Sequence, residues 1–275
     1  MKMNPLLNFR KMKDIDLDKV LEIKENRMPN NLGLYRMNCL VVGKTGSGKT
    51  TTLLKAIFTN AIDDFRVIMI IIPRESLESG FYSSLYKKIS KSKDPMLNGK
   101  YFLFYIIGED DLPTIEQINK ISKQVKGRIA VILDDFINAF KKDDWLLFKR
   151  YITQLSRVEN GASLFALTQN LLQFPTVYRK NFNCFILFCN SLTALQFKDI
   201  LRSYFDYGDF TKEELEVLFA IFKREPHEGL WLINSGDAAT SMIWKSNYIN
   251  PERIFSSDSG DSREDSDSNE DSDSD

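Results

Sequence analysis

Histidine is nearly absent: His227 is the single one in 275 residues. That excludes a multi-histidine metal centre and leaves little for a histidine-based triad, and His227, next to Pro226, fits a loop. Cysteine is almost as scarce. Cys39, Cys184 and Cys189 each sit inside an apolar run, which suits buried reduced thiols better than disulfide bridges or metal ligands. No stretch reaches the roughly 18 uncharged apolar residues of a membrane span. The opening residues, MKMNPLLNFRKMK, hold no apolar core long enough for a signal peptide, so a chain made in the cytosol is expected. No internal repeat is visible. What is present is 43% hydrophobic content, enough for one large domain with appendages.

The formal net charge of −1 is unevenly spread. Residues 256–275, SSDSGDSREDSDSNEDSDSD, hold nine acidic residues and one arginine, a local −8 that leaves about +7 on the preceding 255 residues. This tail has too little apolar surface to fold. It is either a solubilising extension, a phosphorylated segment or a nucleic-acid mimic that competes for a basic surface; Ser262, Ser268 and Ser272 each have an acidic residue three positions on. The expected division is an N-terminal segment, 1–33, with an amphipathic stretch from Ile15 to Ile23, then a main domain, 34–255, and the acidic tail, 256–275.

The main domain is organised around residues 37–58. Met37 to Val42 is an apolar run of strand character stopped by glycine, and Thr51 to Phe58 has helical periodicity. Between them lies GKTGSGKT: Gly43, Lys44, Thr45, Gly46, Ser47, Gly48, Lys49 and Thr50, followed by Thr51. Strand, glycine loop and helix are the context a phosphate-binding loop needs. The glycines let successive N–H groups turn toward a phosphate, and the helix start adds positive potential. Lys49 is the candidate for the β- and γ-phosphates, and Thr50 for Mg²⁺.

Further strands are expected at Arg66 to Ile72, Tyr101 to Ile107, Arg128 to Leu133, Ser163 to Thr168 and Asn183 to Cys189, with a short pair at Leu230 to Asn234 and Met242 to Lys245. Helices are expected at Leu77 to Ile89, Ile115 to Val125, Asp144 to Ser156, Ala194 to Ser203 and Thr211 to Arg224. The alternation predicts an α/β domain with a mostly parallel sheet, helices on both faces and ligands at the carboxyl ends of the strands. The fourth main strand, IAVILDDF, ends in two carboxylates, Asp134 and Asp135. With a phosphate loop this is the Walker B pattern: Asp134 for the Mg²⁺ shell, Asp135 to orient or deprotonate the attacking water. YFLFYII, between the two motifs, suggests the additional-strand class of P-loop NTPases, in which a further strand separates the Walker strands in space. LFALTQN places Gln169 at a strand end as a candidate γ-phosphate sensor, and Arg157 and Arg179 flank that strand as candidates to act on a neighbouring subunit's site.

The string SRVENGASLFALTQNLLQFPTVYRKNFNCFILF resembles the segment after Walker B in the DNA-packaging ATPases of large DNA viruses. These are the poxvirus-type enzymes and their virophage and Polinton-like relatives, within the FtsK/HerA superfamily. The matching positions are Asp134 and Asp135, Arg157, Gln169, then Arg179 with Asn181, and the likeness runs from about Met37 to Ser203. Val158 stands where the family usually has histidine. The resemblance implies an ATP- and Mg²⁺-dependent motor, a homo-oligomeric ring that drives double-stranded DNA of any sequence into a capsid. It also implies a capsid or portal-vertex partner, and residence in the viral factory of the host cytoplasm or nucleus and in the virion. A segregation or end-processing translocase of the same superfamily is the closest alternative, and a non-motor nucleotide-binding scaffold the non-enzymatic one. A translating GTPase is disfavoured because Asn119-Lys120 is followed by Ile-Ser; an ABC ATPase, because no LSGGQ precedes Asp134. Lys87, Lys88, Lys91, Lys93 and Lys100 form a basic stretch that either contacts DNA phosphates or is a solvated loop.

Overall fold

The computed structural model describes residues 36–58, 62–78, 80–90, 96–97, 99–188, 192–204, 219, 229–233 and 242–246. The N-terminal segment and the acidic tail lie outside them, as do Cys189, His227, Lys91, Lys93 and, apart from Phe219, the helix expected over 211–224.

Strands are β1 (Asn38–Val42), β2 (Phe65–Ile72), β3 (Met96–Leu97), β4 (Lys100–Ile106), β5 (Arg128–Leu133), β6 (Ala162–Thr168), β7 (Cys184–Phe188), β8 (Gly229–Ile233) and β9 (Met242–Ser246). They form a nine-stranded sheet in the order β3-β4-β2-β5-β6-β1-β7-β8-β9. From β4 to β7 every pairing is parallel; β3 at one edge and β8 with β9 at the other are antiparallel. The helices are α1 (Lys49–Phe58), α2 (Arg74–Glu78), α3 (Gly80–Ser90), α4 (Ile115–Val125), α5 (Lys142–Gln154), α6 (Thr176–Arg179) and α7 (Ala194–Tyr204).

The central strands are apolar on both sides because both sides are covered. Along β1, Leu40 and Val42 join a core with Ile118 of α4, Phe148 and Tyr151 of α5 and Phe197 of α7. Cys39 and Val41 point the other way, into a core with Leu53 and Ile57 of α1 and Tyr82 and Leu85 of α3. Cys39 and Cys184 are register partners on β1 and β7, both buried and free, with their sulfurs 3.2 Å apart. α4 opens with a capping box in which Thr114 accepts from the Gln117 N–H, and it closes on Lys126 in a left-handed conformation.

Three expectations need correction. The strand between β1 and β5 is β6, the later one; YFLFYII, as β4, lies beyond β2, because β2 pairs with β5 on one side and β4 on the other. The helix expected over Leu77 to Ile89 is two helices, Arg74–Glu78 and Gly80–Ser90, and the first starts directly after Pro73. The basic stretch is no single loop: its first residues end α3, and Met96–Leu97 pairs with β4. Lys87 is exposed, but Lys100 is 3% exposed, and its ammonium donates to the Phe65 carbonyl at 2.9 Å and lies 3.5 Å from Asp64 Oδ1. A lysine so placed is a structural tie, not a phosphate contact.

Burial pulls the Lys100 ammonium below its ordinary value of 10.5, against the Asp64 charge. In the window just below 10.5 the unfolded chain therefore binds more protons than the folded one, and this lysine makes stability rise with pH. Lys100→Met should flatten that rise. Chemical denaturation of both proteins from neutral pH to about pH 10 checks it; parallel curves would contradict the assignment.

Candidate nucleotide site

The parallel arrangement brings the carboxyl ends of β1, β5, β6 and β2 side by side, and main-chain bonds stitch the exits together. The Gly43 N–H donates to the Thr168 carbonyl at 3.0 Å, and the Asp134 N–H to the Ile71 carbonyl at 3.2 Å. Gly43 is packed hard: a Cβ there would lie 2.4 Å from Ser47 Oγ, 2.9 Å from Phe188 Cβ and 3.0 Å from Lys49 Cγ. Gly46 and Gly48 have φ of 76° and 91°, which side-chain-bearing residues rarely adopt. The loop closes on α1 through Thr52 N–H to the Gly48 carbonyl at 2.8 Å.

The loop meets the two acids through one short contact. Thr50 Oγ1 donates to Asp134 Oδ2 at 2.7 Å, and the same oxygen accepts from the Tyr82 hydroxyl at 2.9 Å. Asp134 Oδ1 accepts the Asp135 N–H at 3.1 Å. Asp135 is exposed, with φ of 51°, a left-handed conformation that aspartate and asparagine tolerate better than most residues. Ser76 Oγ donates to its Oδ2 at 3.0 Å, and Gln169 Nε2 reaches its Oδ1 at 3.5 Å. Lys49, 8% exposed, donates to the Lys44 carbonyl at 3.2 Å.

The electrostatics follow from burial. Burial lowers the Lys49 pKa below its ordinary value while Asp134 and Asp135 pull it upward. Burial raises that of Asp134, and the adjacent Asp135 charge adds to the effect, against Thr50, Lys49 and Tyr82. Burial also lifts the Tyr82 phenol well above its usual range.

These residues fit Mg²⁺ and a nucleoside triphosphate. Ser47 Oγ is buried without a hydrogen-bond partner, the loop turns on two positive-φ glycines, and Lys49 supplies a cation beside two acids. Among the described residues no group of three or more His, Cys, Asp or Glu could hold a metal ion. Thr50 Oγ1 and Asp134 Oδ2 lie together and could supply the one or two protein oxygens that Mg²⁺ takes, with phosphate and water for the rest.

Asp134, Asp135, Gln169, Lys49 and Thr50 thus lie together; the two arginines do not join them. Arg157 is exposed and precedes β6, at the sheet end away from Gln169. Beside it, Val158 is 1% exposed and packs in the core, so the position is apolar here for a packing reason. Arg179 is half-buried, with Nε donating to the Phe174 carbonyl at 2.8 Å and Nη2 to the Leu172 carbonyl at 3.4 Å. Asn181, two residues on, accepts from Asn38 Nδ2 at 3.0 Å through its carbonyl. Sequence reasoning missed Tyr82 and Ser76, whose helices belong to no motif and reach the site only because β2 lies next to β5.

Fold and site define a P-loop NTPase of the additional-strand class. The chain belongs to the poxvirus A32 protein family, whose model matches residues 28–225. Among solved structures it is similar to the DNA-packaging ATPase B204 from Sulfolobus turreted icosahedral virus, at 14% identity over 78% of this chain and 98% of that one, with a TM-score of 0.50. It is also similar to the genome-packaging NTPase B204 from Sulfolobus turreted icosahedral virus 2 in complex with ATP-gammaS, at 18% identity over 78% and 99%, TM-score 0.46. No curated protein gives a significant sequence match.

Gly43→Ala should lower nucleotide affinity by at least about tenfold, because the added methyl displaces Ser47 and presses on Phe188. The variant should also melt about 2–4 °C lower, the shift that roughly 1 kcal/mol produces in a chain of this size. Fluorescent-nucleotide titration and thermal melts check both.

Proposed function

We propose that this chain hydrolyses ATP with Mg²⁺ and, as a homo-oligomeric ring, uses the reaction to drive double-stranded DNA into a capsid. The observation that carries the proposal is the contact of Thr50 with Asp134, beside Asp135 and Gln169, in a member of the poxvirus A32 family. The motor unit is taken as 34–255, with 1–33 and 256–275 as appendages; the described strands run from Asn38 to Ser246.

Residues Gly43 to Thr51 would cradle the triphosphate with their N–H groups, and Lys49 would neutralise its terminal charge. Thr50 and Asp134 would hold Mg²⁺, which when bound polarises the phosphoryl oxygens and screens developing charge. Asp135, at the open mouth of the site, would take a proton from the attacking water, and Gln169 would contact the γ-phosphate. Lys49 is already partly desolvated, so its charge acts through little water. Among the described residues no helix is long and apolar enough to cross a membrane.

The primary test is steady-state ATPase activity with and without double-stranded DNA, alongside the oligomer mass. DNA should stimulate turnover of a ring-sized species. Lys49→Ala should lose nucleotide binding. Asp135→Asn, which keeps a side chain suited to the left-handed backbone, should bind nucleotide normally and turn over at least about a hundredfold more slowly. Full activity in Asp135→Asn would leave the acid without its role, and a monomer indifferent to DNA would favour the scaffold reading.

Arg157, exposed and remote from its own chain's acids, is the better placed of the two arginines to serve a neighbouring subunit, since Arg179 is engaged with main-chain carbonyls. Mixing inactive Arg157→Ala and Asp135→Asn subunits should restore some turnover, because a fraction of interfaces then combines an intact arginine with an intact acid. No recovery in verified mixed rings would argue against action in trans.

A further inference from the structure

Asp134 receives three hydrogen bonds, and one comes from neither the phosphate-loop motif nor the turn after β5. The Tyr82 hydroxyl of α3 donates to Oδ2, the oxygen that also accepts from Thr50, while Oδ1 takes the Asp135 N–H. Tyr82 is 5% exposed and Asp134 4%. The ring belongs to the core formed with Leu53 and Ile57 of α1 and Ile68 and Ile70 of β2. Filling that space needs only an aromatic ring, and phenylalanine would do it. The hydroxyl adds a buried polar group that must find a partner, and the carboxylate of Asp134 is one such partner.

We propose that Tyr82 is a positioning residue for the metal-binding carboxylate of Asp134. The proposal rests on the Mg²⁺–ATP reading above. A carboxylate with donors on both oxygens cannot rotate without breaking a hydrogen bond, so its plane is set before any metal arrives. Without the Tyr82 hydroxyl, Oδ2 loses a donor that does not itself belong to the metal site and keeps Thr50, whose hydroxyl has its own part in that site. Oδ2 is thereby left less firmly oriented. Hydrogen-bond partners behind a ligand fix its orientation, and removing one typically costs about 10- to 100-fold in metal affinity. Tyr82 also sits on the first long helix after β2, so the orientation of Asp134 is coupled to the packing of α3 against α1.

The test compares wild type with Tyr82→Phe, which removes the hydroxyl and keeps the ring. Binding of Mn²⁺ in the presence of a non-hydrolysable ATP analogue is followed by electron paramagnetic resonance; nucleotide binding without metal is followed by fluorescence. Metal-free nucleotide affinity should stay within about twofold, and Mn²⁺ affinity should fall about tenfold. The Mg²⁺ concentration for half-maximal turnover should rise by a similar factor. Tyr82→Met, which lacks both hydroxyl and ring, should show the same metal loss with a lower Tm, and full Mn²⁺ affinity in either variant overturns the proposal. Unchanged Mn²⁺ affinity overturns the proposal, and so does an equal loss of metal-free nucleotide binding, which would mean general distortion. A wild type that binds Mn²⁺ with the analogue but does not hydrolyse ATP would defeat the function reading alone, since the Mn²⁺ comparison involves no turnover. A wild type that binds no Mn²⁺ defeats both.

Discussion

A carboxylate that is 4% exposed must be compensated, or it would not remain at the end of β5. Asp134 is compensated by the Thr50 and Tyr82 hydroxyls, by the Asp135 N–H and by the nearby Lys49 charge. The partners come from three parts of the fold: the start of α1, which carries Lys49 and Thr50, then α3 and the turn after β5. The turn is adjacent in sequence, but α1 and α3 reach Asp134 only because β6 fills the gap between β1 and β5 and β2 closes the other side. The strand order is thus the constraint from which the site follows. Burial and the adjacent Asp135 charge outweigh this compensation and leave Asp134 above its ordinary pKa, a state that a divalent cation would relieve.

Behind the two acids the chain turns into an aromatic cluster. Phe136 packs against Phe140, Phe148 and Phe174, and Trp145 stacks on Tyr178 at 5.6 Å with an interplanar angle of 5°. Phe174 and Tyr178 belong to the segment that follows Gln169 and leads to Arg179. Close-packed aromatic side chains resist independent movement, so the turn carrying Asp135 and the segment carrying Gln169 and Arg179 are joined mechanically through α5. In that segment Leu172 and Val177 are 63% and 70% exposed.

The phosphate loop, the paired acids and Gln169 were legible in the sequence because each follows directly on a buried apolar strand, and the break from apolar to polar marks the strand's carboxyl end. Most strands and α4 were legible for the same local reason. What was not legible depends on which strand neighbours which. Nothing local to Ala162–Thr168 says that it separates β1 from β5, and nothing local to YFLFYII says that it lies outside β2. Tyr82 and Ser76 look like ordinary helix residues until β2 is set beside β5. Lys100 misled because a lysine in a basic stretch gives no sign that its ammonium folds back on the Phe65 carbonyl. Pro73 stands directly before α2, and nothing in the apolar pattern around it marks a helix start at Arg74.

The central claim is that hydrolysis at this site moves DNA. Displacement of a third strand from a linear duplex measures that most directly, because a translocating ring strips a triplex from any sequence it passes. The account predicts displacement by wild type that requires ATP and Mg²⁺, is independent of flanking sequence and is lost in Asp135→Asn. ATP hydrolysis by wild type with no displacement, under conditions where the ring is assembled on the duplex, would contradict it.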